Sequence, residues 1–249
     1  MKHLDTVMGI PMSIDIRDDY DYSSAAHEAF AVLREADARF SPFRPDSELS
    51  EINQGRRDPS EYSDDMRKVF AIAEKYGRLS DGAFTIHLNG KFDTNGIVKG
   101  WAVQRAADSL VRAGARNFCI NAGGDVLVRG RSQPLDPGSG WNAGIRSPTD
   151  PDSMVAVLAL RDSAVATSGT YERGEHIIDG RTGFPARGFA SVSVVAATLT
   201  VADILATAVF AIGQDGPRWA VDNFECSVLA VTSGGELRIA GNLPVARPT

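Results

Sequence analysis

Cysteine is scarce in this chain of 249 residues. The two present, Cys119 and Cys226, stand far apart in strand-like segments, with no CxxC or Cys/His spacing. That excludes a disulfide framework and a cysteine zinc site, and leaves both as buried hydrophobes. No apolar run approaches the ~18 residues of a membrane span. The opening "MKHLDTVMGIPMSIDI" lacks the apolar core and small-residue cleavage site of a signal peptide, so the expected location is cytoplasmic. Positive charge is also short, with 26 Lys and Arg against 32 Asp and Glu and a net charge of −6. "GRRD" at 55–58 is an isolated basic pair, and a nucleic-acid surface, which needs clustered cations to displace counterions, is excluded. Neither GxGxxG nor GxxxxGK[ST] occurs, so the two commonest glycine-rich phosphate loops are missing.

What remains is an ordinary globular composition, 43% apolar and 23% charged, which excludes disorder, collagen and coiled coil. Residues 8–16 alternate as a strand. "SSAAHEAFAVLREADARFS" (23–41) has helical spacing, with Ser23 and Ser24 as its expected N-caps. A Pro- and Ser-rich loop follows, then a helix from Asp64 ending near Gly82 and another over 99–114. "NFCINAGGDVLVRG" reads as two strands pivoting on Gly123 and Gly124. Residues 131–140 are a loop between strands, and further strands lie in 141–147, 154–169 and 190–198. "TVADILATAVFAIG" (200–213) is an apolar helix, and "CSVLAVTSGGELRIAG" closes the chain as a hairpin turning at Gly234 and Gly235. Strands and helices interleave without a regular βαβ rhythm, which points to an α+β fold.

Three stretches carry chemistry. In the apolar helix, Asp203 is a misfit, since an unpaired buried carboxylate needs compensation. Thr207, four residues on, projects from the same face, and a carboxylate with a hydroxyl can make two corners of a magnesium site. The ordinary alternative is an Asp that meets backbone amides and the helix dipole, with Thr207 in the core. In "DTNGIVKGWAVQRAADSL", Asp93 and Gly96 precede Lys99 and Gly100 at a helix start, an arrangement open to a phosphate or to a plain cap with a solvated lysine. "ATSGTYERGEHIIDGRTGFPA" (166–186) sets two polar clusters, Tyr171/Glu172/Arg173 and His176/Asp179/Arg181/Thr182, before a buried strand. It reads either as a strand-to-strand loop or as a loop carrying function.

These stretches, in order with "VMGIPMSI", "FSPFRPDSELSEIN", "DGAF", "NAGGDV" and "SVSVVA", resemble the ApbE family, the FAD:protein FMN transferases, over nearly the whole chain. The resemblance implies a single T-fold-related mixed α+β domain over residues 1–249, with antiparallel sheets packed against helices. It implies FAD as substrate, Mg²⁺ as cofactor with Mn²⁺ as a substitute, and transfer of FMN to a threonine of an acceptor flavoprotein with release of AMP.

Carried over residue by residue, the metal ligands are the Gly96 carbonyl, the Asp203 carboxylate and the Thr207 hydroxyl. Flavin-nucleotide contacts fall on Met8, Phe43, Ala83, Phe84, Thr85, Asp93, Lys99, His176 and Ile177, with Asn53 ending the loop over the adenine side. Lys99 is expected to assist phosphoryl transfer, and His176 is the first choice of base because imidazole titrates near pH ~6.5. The chain departs from the family's pattern at Phe43, in place of Tyr or Trp, at Thr85, in place of an acid, and at Gly180, in place of proline. The last is expected to loosen the loop carrying His176. A Mg²⁺-dependent FAD diphosphatase giving FMN and AMP, and a non-catalytic FAD-binding protein, are the alternative functions.

Overall fold

In the computed structural model, residues 1–170, 174 and 176–246 are described. The chain begins with a hairpin, β1 (Lys2–Val7) and β2 (Ile10–Ile16), turning at Met8 and Gly9, both at positive φ (56° and 72°). The strand expected over 8–16 therefore starts two residues late, and β1 was not expected at all. Its outer-edge position explains this, because an edge strand keeps half its side chains in water and "KHLDTV" carries little apolar signal.

Helix α1 (Ser23–Phe40) follows, but its expected serine caps do not form. Tyr22 is the cap residue without a side-chain bond, and the Asp21 carboxylate takes the Ser23 N–H at 3.0 Å. Helices α2 (Glu48–Asn53) and α3 (Asp64–Leu79) are capped by the Ser47 and Ser63 hydroxyls. A two-residue hairpin, β3 (His87–Leu88) and β4 (Lys91–Phe92), leads into α4 (Val98–Arg112). Next come β5 (Phe118–Ala122), β6 (Asp125–Arg129), β7 (Trp141–Arg146), β8 (Met154–Leu160) and β9 (Ala164–Gly169). The short pair β10 (Ile178–Asp179) and β11 (Phe184–Pro185) precedes β12 (Phe189–Ala196), α5 (Leu199–Ile212), α6 (Gly216–Asn223), β13 (Cys226–Thr232) and β14 (Leu237–Ala240). Helix α6, two turns long with glycine and proline at its start, also went unread in the sequence.

Eight strands form one sheet in the order β1-β2-β5-β6-β9-β12-β13-β14, antiparallel at every pairing. Its two faces are sorted by the strand period of two. Leu127, Val192, Val194, Val228 and Ala230 face the helices, while Val126, Val128, Val195, Leu229 and Val231 face the β7–β8 hairpin. The architecture is thus α+β, with antiparallel sheets packed against helices, as expected. Helix α5 lies between the sheet and α4 and is buried on nearly all sides, which explains an apolar sequence with no solvent stripe. Among the described residues, no helix is long and apolar enough to cross a membrane.

Candidate active site

Two acids buried inside this apolar frame, Asp203 and Asp125, are both tied to the start of α4. Asp203 sits in the second turn of α5, 5% exposed, where α5 crosses the N-terminus of α4. Its Oδ2 accepts the Gly100 N–H at 2.8 Å. That amide has no partner inside α4, so the carboxylate serves as a cap supplied by a neighbouring helix. The approach requires glycine, since a Cβ at position 100 would lie 2.6 Å from both Asp203 Cβ and the Leu199 carbonyl oxygen. One amide does not compensate a buried charge. Burial pushes the Asp203 carboxyl up, to about 6; the Lys99 ammonium opposes this, the nearby Asp125 charge adds to it, and the Gly100 N–H opposes it again.

Thr207, one turn on, faces Gly96. A Cβ on Gly96 would lie 3.1 Å from Thr207 Cγ2, 3.2 Å from its Oγ1 and 3.3 Å from Phe84 Cε2. Thr207 Oγ1 is also 3.2 Å from Ser168 Oγ at the end of β9. Lys99, in the first turn of α4, places Nζ 2.7 Å from Asp125 Oδ2 at the start of β6, and Asp125 Oδ1 accepts the Thr167 N–H at 3.0 Å. The structure therefore brings together Gly96, Lys99, Asp203, Thr207 and Phe84. It adds Asp125 and Ser168, which the sequence did not single out, and joins Gly100 to Asp203. Asp125 carried the same signal as Asp203, a lone acid opening the apolar run "DVLV".

This donor set fits a hard divalent cation. It consists of oxygens, and one carboxylate is under-compensated. Mg²⁺ commonly takes one or two carboxylates and fills its other positions with water and substrate phosphates.

Beyond this cluster a cavity of about 540 Å³ is lined by Phe70, Phe84, Thr85, Ile86, His87, Phe92 and Gly180, with Glu74 and Arg78 of α3 also on its wall. The rings of Phe70, Phe92 and His87 on this wall suit a flat heterocycle. The remaining residues singled out in the sequence are dispersed. Ala83 and Ile177 are buried in the core beside Phe84, and Asp93 is half-buried with its Oδ1 accepting the Asn95 N–H. Asn53 has its amide engaged at both ends, Nδ2 donating to the Phe92 carbonyl at 2.8 Å and Oδ1 accepting the Phe92 N–H at 2.7 Å. Met8 holds the β1–β2 turn, and Phe43 is 88% exposed. His176 is exposed, its Nδ1 2.9 Å from the Gly174 carbonyl of its own loop. Tyr171, Glu172 and Arg173 lie outside the described residues.

The loop expected to be loosened by Gly180 is seated closely against the 82–85 segment. The Gly180 N–H donates to the Ala83 carbonyl at 3.0 Å, and a Cβ there would lie 2.3 Å from the Gly82 carbonyl oxygen and 2.6 Å from Thr85 Cγ2. The two departures, Thr85 and Gly180, touch each other, and glycine is what lets the loop seat against the 82–85 segment. Arg181 fixes the same loop. It makes a two-pronged pair with Asp179 at 2.8 Å on each prong, holding that carboxyl below its usual range through side-chain hydrogen bonding, and its Nη2 reaches the Ala211 and Ile212 carbonyls at the C-terminus of α5.

Comparison with known proteins agrees with this architecture. An FAD:protein FMN transferase of Haemophilus influenzae is 27% identical over 277 aligned positions, covering 84% of this chain and 79% of that one. One of Rhodobacter capsulatus is 37% identical over 185, covering 69% of this chain and 34% of that longer protein. The ApbE protein of Thermotoga maritima superposes with a TM-score of 0.86 at 25% identity, and the flavin transferase ApbE of Vibrio cholerae with 0.82 at 24%, each over 96% of both chains. The ApbE family model matches residues 8–90 and 86–230. Coverage of that extent, over the segments that build the buried cluster, shows that the chain belongs to the ApbE family.

Proposed function

We propose that this protein is an FAD:protein FMN transferase that uses Mg²⁺, or Mn²⁺ in its place, to move FMN from FAD to a threonine of an acceptor flavoprotein, releasing AMP. The observation that carries the reading is the under-compensated Asp203 carboxylate beside Thr207 and Gly96, in a chain whose relatives are named for that activity.

In phosphoryl transfer the protein contributes positioning and charge stabilisation more than covalent chemistry. Asp203, Thr207 and the Gly96 carbonyl would hold the cation, which supplies neutralisation of charge on the pyrophosphate. Lys99 adds positive charge at the start of α4. Phe84 and Thr85 wall the adjoining cavity, which accepts a ring of the dinucleotide. The acceptor hydroxyl attacks the phosphorus next to riboflavin, the bond to the AMP phosphate breaks, and the hydroxyl proton passes to a base, for which His176 is the candidate on its chemistry. Met8, Phe43, Asn53, Asp93 and Ile177 complete the proposed flavin-nucleotide contacts.

Hydrolysis of FAD to FMN and AMP is the second reading. What favours it is the exposed His176 ring, which is bound to its own loop and not to the buried cluster. Intact-mass measurement separates the two. With FAD, Mg²⁺ and a threonine-bearing acceptor, the acceptor gains one FMN, and EDTA prevents the gain. FAD cleavage at the same rate with and without acceptor identifies a hydrolase, and intact FAD that co-purifies with the chain identifies a binding protein.

A further inference from the structure

Asp125 is 2% exposed and opens β6 immediately after Gly123 and Gly124, whose φ angles of 62° and 102° turn the chain sharply out of β5. Both carboxylate oxygens have defined neighbours: Oδ1 takes the Thr167 N–H at 3.0 Å, and Oδ2 lies 2.7 Å from Lys99 Nζ. A buried acid is costly, and this one is not needed to close the sheet, because strands β6 and β9 already pair through Val126 and Leu127.

Its position relative to the other acid is informative. Lys99 is the chain neighbour of Gly100, whose N–H is bound to Asp203 Oδ2 at 2.8 Å. The ammonium therefore stands within the field of two buried carboxylates. It pulls the Asp203 carboxyl down while Asp125 pushes it up. Lysine is a compact charge on a flexible stem, and an attraction between desolvated charges strengthens as they approach. Released from Asp125, such an ammonium has the Asp203 carboxylate, held by the Gly100 N–H, as its alternative partner. A lysine there would neutralise the one acid offered to a divalent cation and fill the space beside it.

We propose that Asp125 is a positioning residue that holds the Lys99 ammonium off Asp203 and so keeps the Asp203 carboxylate open to a divalent cation. The inference rests on the cation reading given above. The buried ion pair thereby acquires a role that stability alone does not supply, since a neutral pair of the same volume often folds as well.

The test is Mn²⁺ titration of the FAD-free protein, followed by the electron paramagnetic resonance signal of free Mn²⁺. Asp125→Asn keeps the volume and the acceptor for the Thr167 N–H but removes the charge. Its Mn²⁺ dissociation constant is expected to rise at least tenfold with little change in melting temperature. In a metal-free crystal of this variant, Lys99 Nζ is expected within hydrogen-bond distance of the Asp203 carboxylate. The neutral double variant Lys99→Met/Asp125→Asn, which also serves if the single one does not fold, is expected to bind Mn²⁺ within threefold of wild type. Unchanged Mn²⁺ affinity in Asp125→Asn, an Nζ that stays beside residue 125, or a double variant more than tenfold weaker than wild type would each overturn the proposal. Asp203→Ala separates the two levels. If it binds Mn²⁺ as wild type does, the cation reading fails and the inference with it. If it loses binding while Asp125→Asn does not, only the role of Asp125 fails.

Discussion

At the crossing of α4 and α5, polar groups are buried or half-buried, and each is tied to a neighbouring element. Asp203 of α5 is tied to Gly100 of α4, Lys99 of α4 to Asp125 of β6, and Thr207 of α5 to Ser168 of β9. On the outer surface Phe43 and His176 are exposed, and the contacts of their segments are local, with the Phe43 N–H bound to Ser41 Oγ and the His176 ring set against the carbonyl two residues before it. The first region is preorganised by packing, so its geometry is present before any ligand arrives. The second is held by local contacts alone among the described residues. On the proposed function, charge handling falls to the first region and recognition to the second.

Breaking the buried side should produce the largest effects. Asp203→Ala is expected to lower metal-dependent FAD turnover by on the order of 100-fold or more, with circular dichroism unchanged. Retained turnover at ordinary Mg²⁺ would remove the ligand assignment. Next comes Gly180→Pro, which restores the family's residue yet deletes the N–H bound to the Ala83 carbonyl and drives ring atoms into the Gly82 carbonyl and Thr85. The expected cost is about 2–3 kcal/mol, read as a fall in Tm of roughly 5–10 °C. An unchanged Tm would show that the loop has room to spare.

Asp203→Asn tests the same buried charge in the opposite direction. With the carboxyl raised to about 6 in the folded chain, its contribution to stability is present in full below the ordinary value near 3.8 and is lost as the pH rises through 6. The metal-free wild type should therefore weaken between about pH 4 and 6 and level off above that. The Asn variant should be more stable than wild type at pH 7 by roughly 1–3 kcal/mol, and saturating Mg²⁺ should narrow the gap. Denaturant melts at the two pH values measure this, and a less stable Asn variant would mean that the charge is already compensated.

On the surface the effects shrink. Arg181→Ala removes a pair whose arginine is 39% exposed together with two contacts to the end of α5, and should cost about 0.5–1 kcal/mol. That difference should fade in acid, because the depressed Asp179 carboxyl contributes above its usual range and loses its contribution as it protonates. Phe43→Ala should leave stability unchanged within about 0.5 kcal/mol and raise KM for FAD more than it lowers kcat. A fall in kcat alone would move Phe43 from recognition into the chemistry.

The buried side is also where the sequence was most legible. An acid inside "TVADILATAVFAIG" contradicts its surroundings, and the helical period puts Thr207 on the same face. Asp125 posed the same contradiction, but its partner is 26 residues earlier in the chain, and only the stacking of α4 against β6 makes them neighbours. The contact between Thr85 and Gly180 was invisible for the same reason, so two substitutions that looked independent prove to be one packing arrangement. Strand β1 and helix α6 escaped notice because an exposed edge strand and a two-turn helix carry too few apolar residues to show a period.

The most direct test of the central claim is anomalous diffraction from crystals of the protein soaked with Mn²⁺ and FAD. The account places the Mn²⁺ peak among the Asp203 carboxylate, the Thr207 hydroxyl and the Gly96 carbonyl, with Lys99 still paired to Asp125. A peak elsewhere in the molecule, or none at Mn²⁺ concentrations that support turnover, would contradict it.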